Sequence, residues 1–361
     1  MATDTTDPWH PFDGHERVVV ARDQDTGVRM VVAIHSTVLG PALGGTRMAD
    51  YAGSADPAAA AYGDSIRLSR AMTYKNALAG LPHGGGKGVI LADSTAPKDP
   101  AVLHAYGRLI ASLGGDYVTA GDVGMTVADM DMIGEVCPWT TGRSPERGGV
   151  GDSGILTALG VFLGLTAGAQ VVFGSDDLQG RRIAVVGAGK VGSRLIGHLA
   201  EAGADVVAVD PSPLARETVL AVAPATRFVD TLDELLATDP EVLSPNALGG
   251  LLTPELASTL PVRLIAGGAN NQLADPAVAD LLAARGIVYA PDFMVNCGGV
   301  IQVAEELVGG DLDRARERTE RVYATTIQVL ERAAAEGITP VVAAEREAED
   351  RIRRARHTSD R

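Results

Sequence analysis

Lysine is scarce in this sequence: only Lys75, Lys87, Lys98 and Lys190 occur among 361 residues, and the remaining basic residues are arginine. Arginine keeps its proton in proteins, whereas a desolvated lysine can lose it. Lys75 and Lys87 lie twelve residues apart, and three consecutive glycines precede Lys87. The placement indicates chemistry that needs a neutral amine. The alternative is a pair of ordinary surface lysines around a glycine turn.

Cysteine and histidine are also rare, which argues against a disulfide framework and a metal centre. The two cysteines, Cys137 and Cys297, are far apart and form no CxxC motif, so reduced thiols are expected. The seven histidines show no HExxH or clustered ligand spacing. We therefore expect no metal ion.

Long apolar runs and excess positive charge are further features that we do not find. No apolar run approaches the roughly 18 residues that cross a bilayer. The N-terminus lacks the basic start and apolar core of a signal peptide. A net charge of −15 is unsuited to a nucleic-acid surface. These absences predict a cytoplasmic protein without nucleic-acid or membrane partners.

The length favours two domains as a starting expectation. The first part mixes strands and helices. We predict a hairpin over residues 18–22 and 28–35, and helices over 57–72 and 100–113. Two buried strands are predicted over 88–92 and 117–120. Residues 138–152 are rich in glycine, proline, serine and arginine, which indicates a connection between domains. We expect a mixed α/β substrate and catalytic domain over residues 1–150.

The second part alternates regularly between strands and helices. After a predicted helix over 153–173, this alternation begins at Arg182 and favours a parallel sheet with helices on both faces. We expect a doubly wound, Rossmann-type dinucleotide-binding domain over residues 151–339. The charged segment 340–361 is predicted to be a helix that packs back on the first domain.

A glycine motif opens this second domain. Gly187, Gly189 and Gly192 follow an apolar strand and precede a helix, with Lys190 and Val191 inside the turn. These glycines permit the tight turn, the approach of a pyrophosphate and close helix packing. The spacing alone is weak evidence, but its place between a strand and a helix predicts a dinucleotide site.

An acidic residue then favours NAD. Asp210 ends the next predicted strand, 18 residues after Gly192, where a carboxylate would hold the ribose 2′-hydroxyl. Its charge would repel a 2′-phosphate. Arg216, six residues later, could serve such a phosphate and keeps NADP open as an alternative.

The chain resembles the glutamate/leucine/phenylalanine/valine dehydrogenase superfamily, and most of all its branched-chain bacterial members. The motifs that carry the resemblance appear in family order. They are GPALGGTRM (40–48), MTYKNALAGL (72–81), GGGKGVI (84–90), TAGDVGMTVADMD (119–131), TTGRSPERGG (140–149), GAGKVG (187–192), SPNALGG (244–250), GGANNQL (267–273) and YAPDFMVNCGGVIQVAEEL (289–307).

The resemblance implies reversible, NAD-dependent oxidative deamination of an L-amino acid to a 2-oxo acid and ammonia. It implies that Lys75 binds the substrate carboxylate, that Lys87 is the catalytic lysine and that Asp122 is the catalytic aspartate. The other positions that it assigns to substrate or cofactor are Gly44, Gly45, Met72, Thr157, Asn246, Ala247, Asn270 and Asn296.

The implied chemistry explains these residue types. Hydride leaves Cα, and water must then attack the iminium carbon. A neutral Lys87 amine is a suitable base, because burial and a nearby cation depress the pKa of a lysine. Asp122 could relay protons between this amine and solvent. The alternative for Asp122 is a helix-capping carboxylate.

Four further positions bear on the substrate side chain. Leu43 stands where glutamate-specific relatives carry a lysine, so a second carboxylate would be buried unpaired, at a cost of several kcal/mol. Ala120 stands where aromatic-specific relatives carry glycine. Met294 and Cys297 replace smaller apolar residues of branched-chain relatives, and we interpret Cys297 as an apolar wall rather than a nucleophile.

The sequence therefore predicts an NAD-dependent dehydrogenase for branched-chain aliphatic L-amino acids, with valine favoured. The expected cleft between the two domains would close to exclude water. Phenylalanine dehydrogenase is the alternative enzyme, and a catalytically silent NAD-binding sensor is the alternative of another class. A homo-oligomer is expected, and the resemblance allows a dimer, hexamer or octamer.

Overall fold

The structure, a computed structural model, describes residues 14–359 as a two-domain α/β protein. One compact unit contains the described residues up to Gly151, together with Gln302–Leu312 and the chain from Ala348. The other contains Asp152–Ile301 and Asp313–Glu347. Residues 1–13, for which we expected no signal peptide, and residues 360–361 of the final segment lie outside the described residues.

The first unit is built on one sheet with helices on its faces. Its elements up to Gly151 are β1 (Arg17–Arg22), β2 (Arg29–Ser36), β3 (Ala42–Ala49), α1 (Pro57–Leu78), β4 (Gly84–Leu91), α2 (Pro100–Ala111), β5 (Tyr117–Gly121) and α3 (Val127–Gly134), followed by a 3-10 turn (Pro145–Arg147). The strand order is β1-β2-β4-β3-β5. The predicted hairpin is confirmed, because β1 and β2 pair antiparallel.

Glycines occupy strands that the sequence analysis did not find or began too late. It missed β3 altogether and started β4 four residues late, because glycine is depleted in strands. The structure shows why glycines occur in these two strands. A Cβ at Gly85 would lie 2.1 Å from the backbone nitrogen of Thr73 in α1. The glycines thus let α1 lie directly on the sheet.

Helix α1 begins where the sequence predicts and ends later. Asp56 caps its first turn by accepting the N–H groups of Ala58 and Ala59. The prediction ended the helix at residue 72, but it continues to Leu78, and its last turn is held to the sheet. There Asn76 Nδ2 donates to Gly84 O at 2.6 Å. The extension carries Lys75 into the helix.

The second unit contains the parallel sheet. Its elements are α4 (Gly154–Phe173), β6 (Arg182–Val186), α5 (Gly192–Glu201), β7 (Asp205–Val209), α6 (Pro213–Val222), β8 (Arg227–Val229), α7 (Leu232–Leu236), β9 (Val242–Pro245), α8 (Pro254–Thr259), β10 (Leu264–Ile265), α9 (Val278–Ala284), β11 (Val288–Tyr289) and α10 (Asp292–Val295). The chain continues through α11 (Gly298–Glu306), α12 (Leu312–Thr319), α13 (Arg321–Glu336) and α14 (Pro340–Ser359).

The strand order of this sheet confirms the predicted Rossmann-type fold. The order is β11-β10-β9-β6-β7-β8, with parallel pairing throughout, as in a dinucleotide-binding sheet. The sequence analysis did not name β9, whose short sequence ends in serine and proline. It pairs with both β6 and β10 and places residue 246 beside the glycine turn.

Helix α4 corrects the statement that no apolar run approaches the length of a membrane span. Its 20 residues carry no charge, and an 18-residue window has a mean hydropathy of 1.9. Leu156, Val161 and Leu165 are fully buried, and the helix packs against α5, α13 and β10 within its own unit. Its burial is therefore that of a core helix.

Two segments depart from the domain ranges expected from the sequence. Residues 302–312 join the first unit, because Thr141 Oγ1 donates to Val303 O at 3.0 Å and Glu306 accepts the N–H of Gly142 at 3.1 Å. Residues 340–347 stay with the second unit, where Glu347 pairs with Arg332 at 3.1 Å. In both cases, side-chain contacts between residues that are distant in sequence determine which unit the segment joins.

The end of α14 contacts α1 within the first unit. Tyr74 Oη donates to Glu349 Oε1 at 3.1 Å, and Arg351 Nη2 donates to Leu81 O at 2.9 Å. Gly337 ends α13 before α14 begins, with a φ of 65°, the left-handed conformation that glycine favours.

Candidate active site

Strands β2, β3 and β4 of the first unit present one face of the sheet to α1. The register pairs Leu43 with Gly85 and Gly45 with Ala120. Because side chains alternate along a strand, Leu43, Gly45 and Arg47 point to this same face. Gly45 is required there: a Cβ would lie 2.8 Å from Cβ of Asp122. The glycine leaves the space that Asp122 occupies.

Lys87 and Asp122 form a buried ion pair on this face. Lys87 Nζ donates a hydrogen bond to Asp122 Oδ2. The lysine side chain is 5% exposed and the aspartate side chain 20%, so the carboxylate has the larger contact with solvent. Asp122 does not cap α3, since Thr126 and Asp129 form the capping box of that helix.

Burial and charge set the ionisation of the pair. Burial lowers the pKa of Lys87 below its usual value, and Asp122 opposes that shift. Burial alone would raise the pKa of Asp122, but the charges of Lys87 and Arg47 outweigh it and lower this pKa to about 2. The site thus combines an ionised carboxylate with an amine that loses its proton more readily than an exposed lysine.

Arg47 also belongs to this cluster, and the sequence analysis missed it. Its Nε lies 3.4 Å from Asp122 Oδ2, and its Nη1 lies 2.7 Å from Asp64 Oδ2. The available signal was the two-residue spacing after Gly45, which places Arg47 on the same strand face. Without β3 in the prediction, that spacing carried no meaning.

Lys75 and Met72 lie one turn apart on α1, and both are partly buried. Met72 Cγ lies 3.4 Å from the position that a Cβ on Gly44 would take. Met72 therefore lies against Gly44, one of the two predicted substrate-binding glycines. Leu43 is fully buried and Ala120 is 7% exposed, so the two predicted pocket residues of this unit are apolar and enclosed.

The glycine turn of the second unit has the geometry of a phosphate-binding turn. Gly187 has a φ of 93°, and a Cβ there would lie 2.8 Å from Ala247. A Cβ at Gly192 would lie 2.0 Å from Gly187 O, so α5 packs tightly on the turn. Within residues 14–359, no atom lies within 4 Å of a Cβ built on Gly189, so this backbone is open to a ligand.

Asp210 follows β7 and is fixed to the same turn. Its Oδ2 accepts the N–H of Ala188 at 2.7 Å, and its Oδ1 accepts the N–H of Ser212 at 2.8 Å. Arg216 is already engaged: Nε donates to Asp210 O at 2.8 Å and Nη2 to Asp230 Oδ1 at 2.9 Å. The carboxylate is thus aimed beside the turn while the arginine is held by neighbouring oxygens.

Lys190 and Val191 precede α5. Lys190 Nζ lies 2.7 Å from Asp152 Oδ1, and Arg194 Nη2 lies 2.8 Å from Asp152 Oδ2. Lys190 is mostly exposed. The structure therefore places a mostly exposed lysine, paired with Asp152, next to the glycine turn.

The predicted cofactor-side amides form one hydrogen-bonded group. Asn246 Oδ1 accepts the N–H of Gly268 at 2.9 Å, and Asn296 Nδ2 donates to Asn270 Oδ1 at 2.7 Å. Thr157 Oγ1 donates to Ser153 O at 2.9 Å at the start of α4. The structure thus brings together three of the four predicted polar residues, whereas Thr157 is bonded within its own helix.

Met294 and Cys297 are both buried to 1% exposure within the second unit. Their side chains are apolar and enclosed, as expected of wall residues. Burial, however, does not assign either of them to a substrate.

Comparisons with known proteins match almost the whole chain. A family model described as Glu/Leu/Phe/Val dehydrogenase, dimerisation domain, matches residues 15–137, and a model described as Glutamate/Leucine/Phenylalanine/Valine dehydrogenase matches residues 215–359. The chain is 49% identical to the valine dehydrogenase of Streptomyces virginiae over 344 residues, which are 95% of each chain. The chain belongs to the Glu/Leu/Phe/Val dehydrogenase family. It is accordingly an amino acid dehydrogenase.

Other members of the family support the same assignment. Identity is 42% to the leucine dehydrogenase of Bacillus subtilis (strain 168), over 95% of this chain and 93% of that one. Among solved structures, the L-tryptophan dehydrogenase from Nostoc punctiforme is 36% identical with a TM-score of 0.82, over 95% of this chain and 97% of that one. The resemblance inferred from the motifs is thus confirmed.

The family uses a nicotinamide cofactor, and the second unit fits one. A model for NAD(P) binding matches residues 176–247, which span the glycine turn and Asp210. The open backbone at Gly189 suits a pyrophosphate. The buried Oδ1 of Asn296 has no hydrogen-bond partner among residues 14–359, which leaves an acceptor for a ligand amide.

Proposed function

We propose that this chain catalyses the reversible, NAD-dependent oxidative deamination of a branched-chain aliphatic L-amino acid, with L-valine favoured, to the 2-oxo acid and ammonia. The observation that carries the reaction class is the buried Lys87–Asp122 pair beside Gly45. The valine and leucine dehydrogenases among its relatives support the substrate class.

We assign separate roles to the two lysines. Lys75 holds the substrate carboxylate as a permanent cation, next to the backbone of Gly44 and Gly45. NAD, held by the glycine turn and Asp210, would supply the acceptor for the hydride of Cα. Lys87, as the neutral amine, then takes the proton of the water that attacks the iminium carbon. Asp122, which is bonded to Lys87 and more exposed, passes that proton towards solvent.

The pH dependence follows from the direction of the Lys87 shift. The neutral amine is the working form, and its fraction falls as the pH drops through the pKa. We expect kcat/KM for deamination to rise towards alkaline pH. Because the pKa of Lys87 is lowered, kcat/KM should fall on the acid side at a pH below the pKa of an ordinary lysine. A pH profile of kcat/KM checks this, and a flat profile contradicts it.

Asp210 supports NAD rather than NADP. Its carboxylate follows β7 and is fixed beside the glycine turn, where it would accept ribose hydroxyls and repel a 2′-phosphate. The NADP alternative relied on Arg216. Its guanidinium donates to Asp210 O, Val229 O and Asp230 Oδ1, and this geometry supports the proposal of NAD.

Replacing Asp210 by serine is expected to lower kcat/KM for NAD and raise kcat/KM for NADP. The substitution removes a charged acceptor and the repulsion of phosphate together, so the ratio of kcat/KM values for the two cofactors should shift by about tenfold or more. Arg216→Gln is the matched variant and should not improve NADP. Comparable use of both cofactors by the unaltered protein would contradict the role of Asp210.

The pocket residues favour a short aliphatic side chain. Leu43 would bury the γ-carboxylate of glutamate without a cation, and Ala120 shortens the space for an aromatic ring. Met294 stands where branched-chain relatives carry a smaller apolar residue, which ranks L-valine above L-leucine as the substrate. One methylene changes specificity by only about 1–3 kcal/mol, so neighbouring aliphatic amino acids should be slower substrates.

A substrate panel tests the proposed function. NADH formation should be highest in kcat/KM with L-valine, followed by L-2-aminobutyrate, L-isoleucine and L-leucine, and low with L-phenylalanine and L-glutamate. Equimolar 2-oxo acid and ammonia should accompany NADH. Ala120→Gly should raise activity on L-phenylalanine relative to L-valine. Faster turnover of L-phenylalanine than of every aliphatic substrate would support the phenylalanine dehydrogenase alternative.

A silent sensor is the remaining alternative. It would bind NADH and an amino acid without forming product. The retained Lys87–Asp122 pair argues against it, since a sensor does not need a buried amine with a lowered pKa. Nucleotide binding without product for any L-amino acid would favour the sensor.

We also propose a cytoplasmic homo-oligomer. Residues 15–137 match a model described as a dimerisation domain, and β1 is an edge strand on which Val20 is 68% exposed. Both cysteines are buried, in keeping with a reducing compartment. Light scattering of the purified protein gives the subunit number.

A further inference from the structure

A second cation reaches the same oxygen of Asp122 that Lys87 contacts. Arg47 extends from β3 between two carboxylates, with Nε at 3.4 Å from Asp122 Oδ2 and Nη1 at 2.7 Å from Asp64 Oδ2. The Nε group donates no hydrogen bond within residues 14–359, so its effect on Asp122 is electrostatic. Arg47 therefore bridges the Lys87–Asp122 pair to α1.

Asp64 is held firmly in its place. Tyr51 Oη donates to Asp64 Oδ2 at 2.8 Å, and Arg67 Nη2 donates to Asp64 Oδ1 at 2.6 Å. Tyr51 has a φ of 53°, a left-handed conformation that is unfavourable for a non-glycine residue. The backbone thus adopts an unfavourable conformation at the residue that fixes the anchor of Arg47.

The charges around the pair act in opposite directions. Lys87 comes from β4, Arg47 from β3, Asp64 from α1, and Asp122 follows β5. Arg47 favours the neutral form of Lys87, whereas Asp122 and Asp64 favour its charged form. Lys98 and Asp129 form a separate pair near the start of α3.

We propose that Arg47 is a positioning residue for the deamination reaction, which holds the Asp122 carboxylate towards Lys87 and repels the protonated form of that amine. Asp64 is the anchor that keeps the guanidinium in place. The inference rests on the proposed function, because it assumes that the neutral Lys87 amine does the work. It adds a third charged residue to the lysine and aspartate.

Arg47 variants separate charge from geometry. In Arg47→Gln, the acid limb of the kcat/KM profile should move up by about one pH unit, because a cation near Lys87 is lost. Arg47→Lys keeps the charge but not the fork that spans two carboxylates. Its limb should stay close to the wild-type position while kcat falls, with little change in KM.

Asp64→Asn should shift the acid limb of the kcat/KM profile in the opposite direction. Removing this anion should move the acid limb to lower pH, because Asp64 favours the charged form of Lys87. Arg67→Gln is the matched control, since Arg67 pairs with the same carboxylate from the more exposed side. Its profile should stay close to that of the wild type. A general loss of folding cannot move the limb in opposite directions.

The outcomes distinguish failure of the inference from failure of the function. If the wild type deaminates aliphatic amino acids and neither Arg47→Gln nor Asp64→Asn moves the acid limb, Arg47 has no such role. Movement of the acid limb in the same direction in both variants overturns the inference as well. If the wild type forms no NADH from any L-amino acid, the proposed function fails before the variants are compared. NADH titration and thermal unfolding of each variant show that it is folded.

Discussion

Replacing Lys87 by alanine is expected to lower kcat by about 10²–10⁴-fold, the usual contribution of a general base. The amine is 5% exposed and bonded to Asp122, and Arg47, which also contacts that carboxylate, cannot replace it as a base because a guanidinium keeps its proton. NADH affinity should stay near that of the wild type, because the glycine turn and Asp210 belong to the other unit. Stopped-flow absorbance gives the rate of the chemical step.

The chain supplies a matched control for this variant. Lys98 pairs with Asp129 in the same unit, and their side chains are 13% and 7% exposed. Lys98→Ala breaks a lysine–aspartate pair of the same kind away from the proposed site. It should lower thermal stability and leave kcat close to wild type. Near-normal NADH formation in Lys87→Ala, or equal losses in both variants, would contradict the role of Lys87.

Replacing Lys75 by glutamine is expected to raise KM for the amino acid by about 10²-fold or more. Truncating one partner of a buried charge pair costs about 2–5 kcal/mol, and 1.4 kcal/mol is a factor of ten. The loss should fall on the amino acid and the 2-oxo acid alike, since both carry the carboxylate.

The same variant should leave the KM for NAD nearly unchanged. Initial rates at varied amino acid and at varied NAD separate the two effects. Glutamine keeps much of the length of lysine and can still donate a hydrogen bond, so the charge is what is tested. An unchanged KM for L-valine would exclude Lys75 as the carboxylate partner.

The sequence predicts the second domain well because its signals are local. A glycine turn between a strand and a helix, followed by an acid at the end of the next strand, is contained in 24 residues from Gly187 to Asp210. Each residue type has a physical reason at its position. The structure places Asp210 Oδ2 on the N–H of Ala188, inside that turn.

The first domain is harder to predict from the sequence because its strands are rich in glycine. Gly44, Gly45 and Gly85 lower the apparent strand tendency of β3 and β4, although close packing is the reason for them. Since β3 was missed, its alternation could not place Arg47 beside Asp122. Asp64 and Tyr51 were missed with it, because their connection to Arg47 exists only in three dimensions.

Helix α4 and the domain ranges show the same limit. Composition alone does not distinguish a core helix without charges from a membrane span, whereas burial of Leu156 and Leu165 does. The transfer of residues 302–312 to the first unit depends on Glu306, whose carboxylate accepts N–H groups from residues 142–150. Pairings over such distances leave no periodic pattern.

The most direct test of the central claim is a titration of the lysine amines of the wild-type protein. With only four lysines, a protein labelled with ¹³C at lysine Cε gives few signals, and Lys87→Ala identifies the one that belongs to Lys87. We expect that signal to titrate below the ordinary lysine pKa of about 10.4. A Lys87 amine that stays protonated through the whole alkaline range of activity would contradict the account.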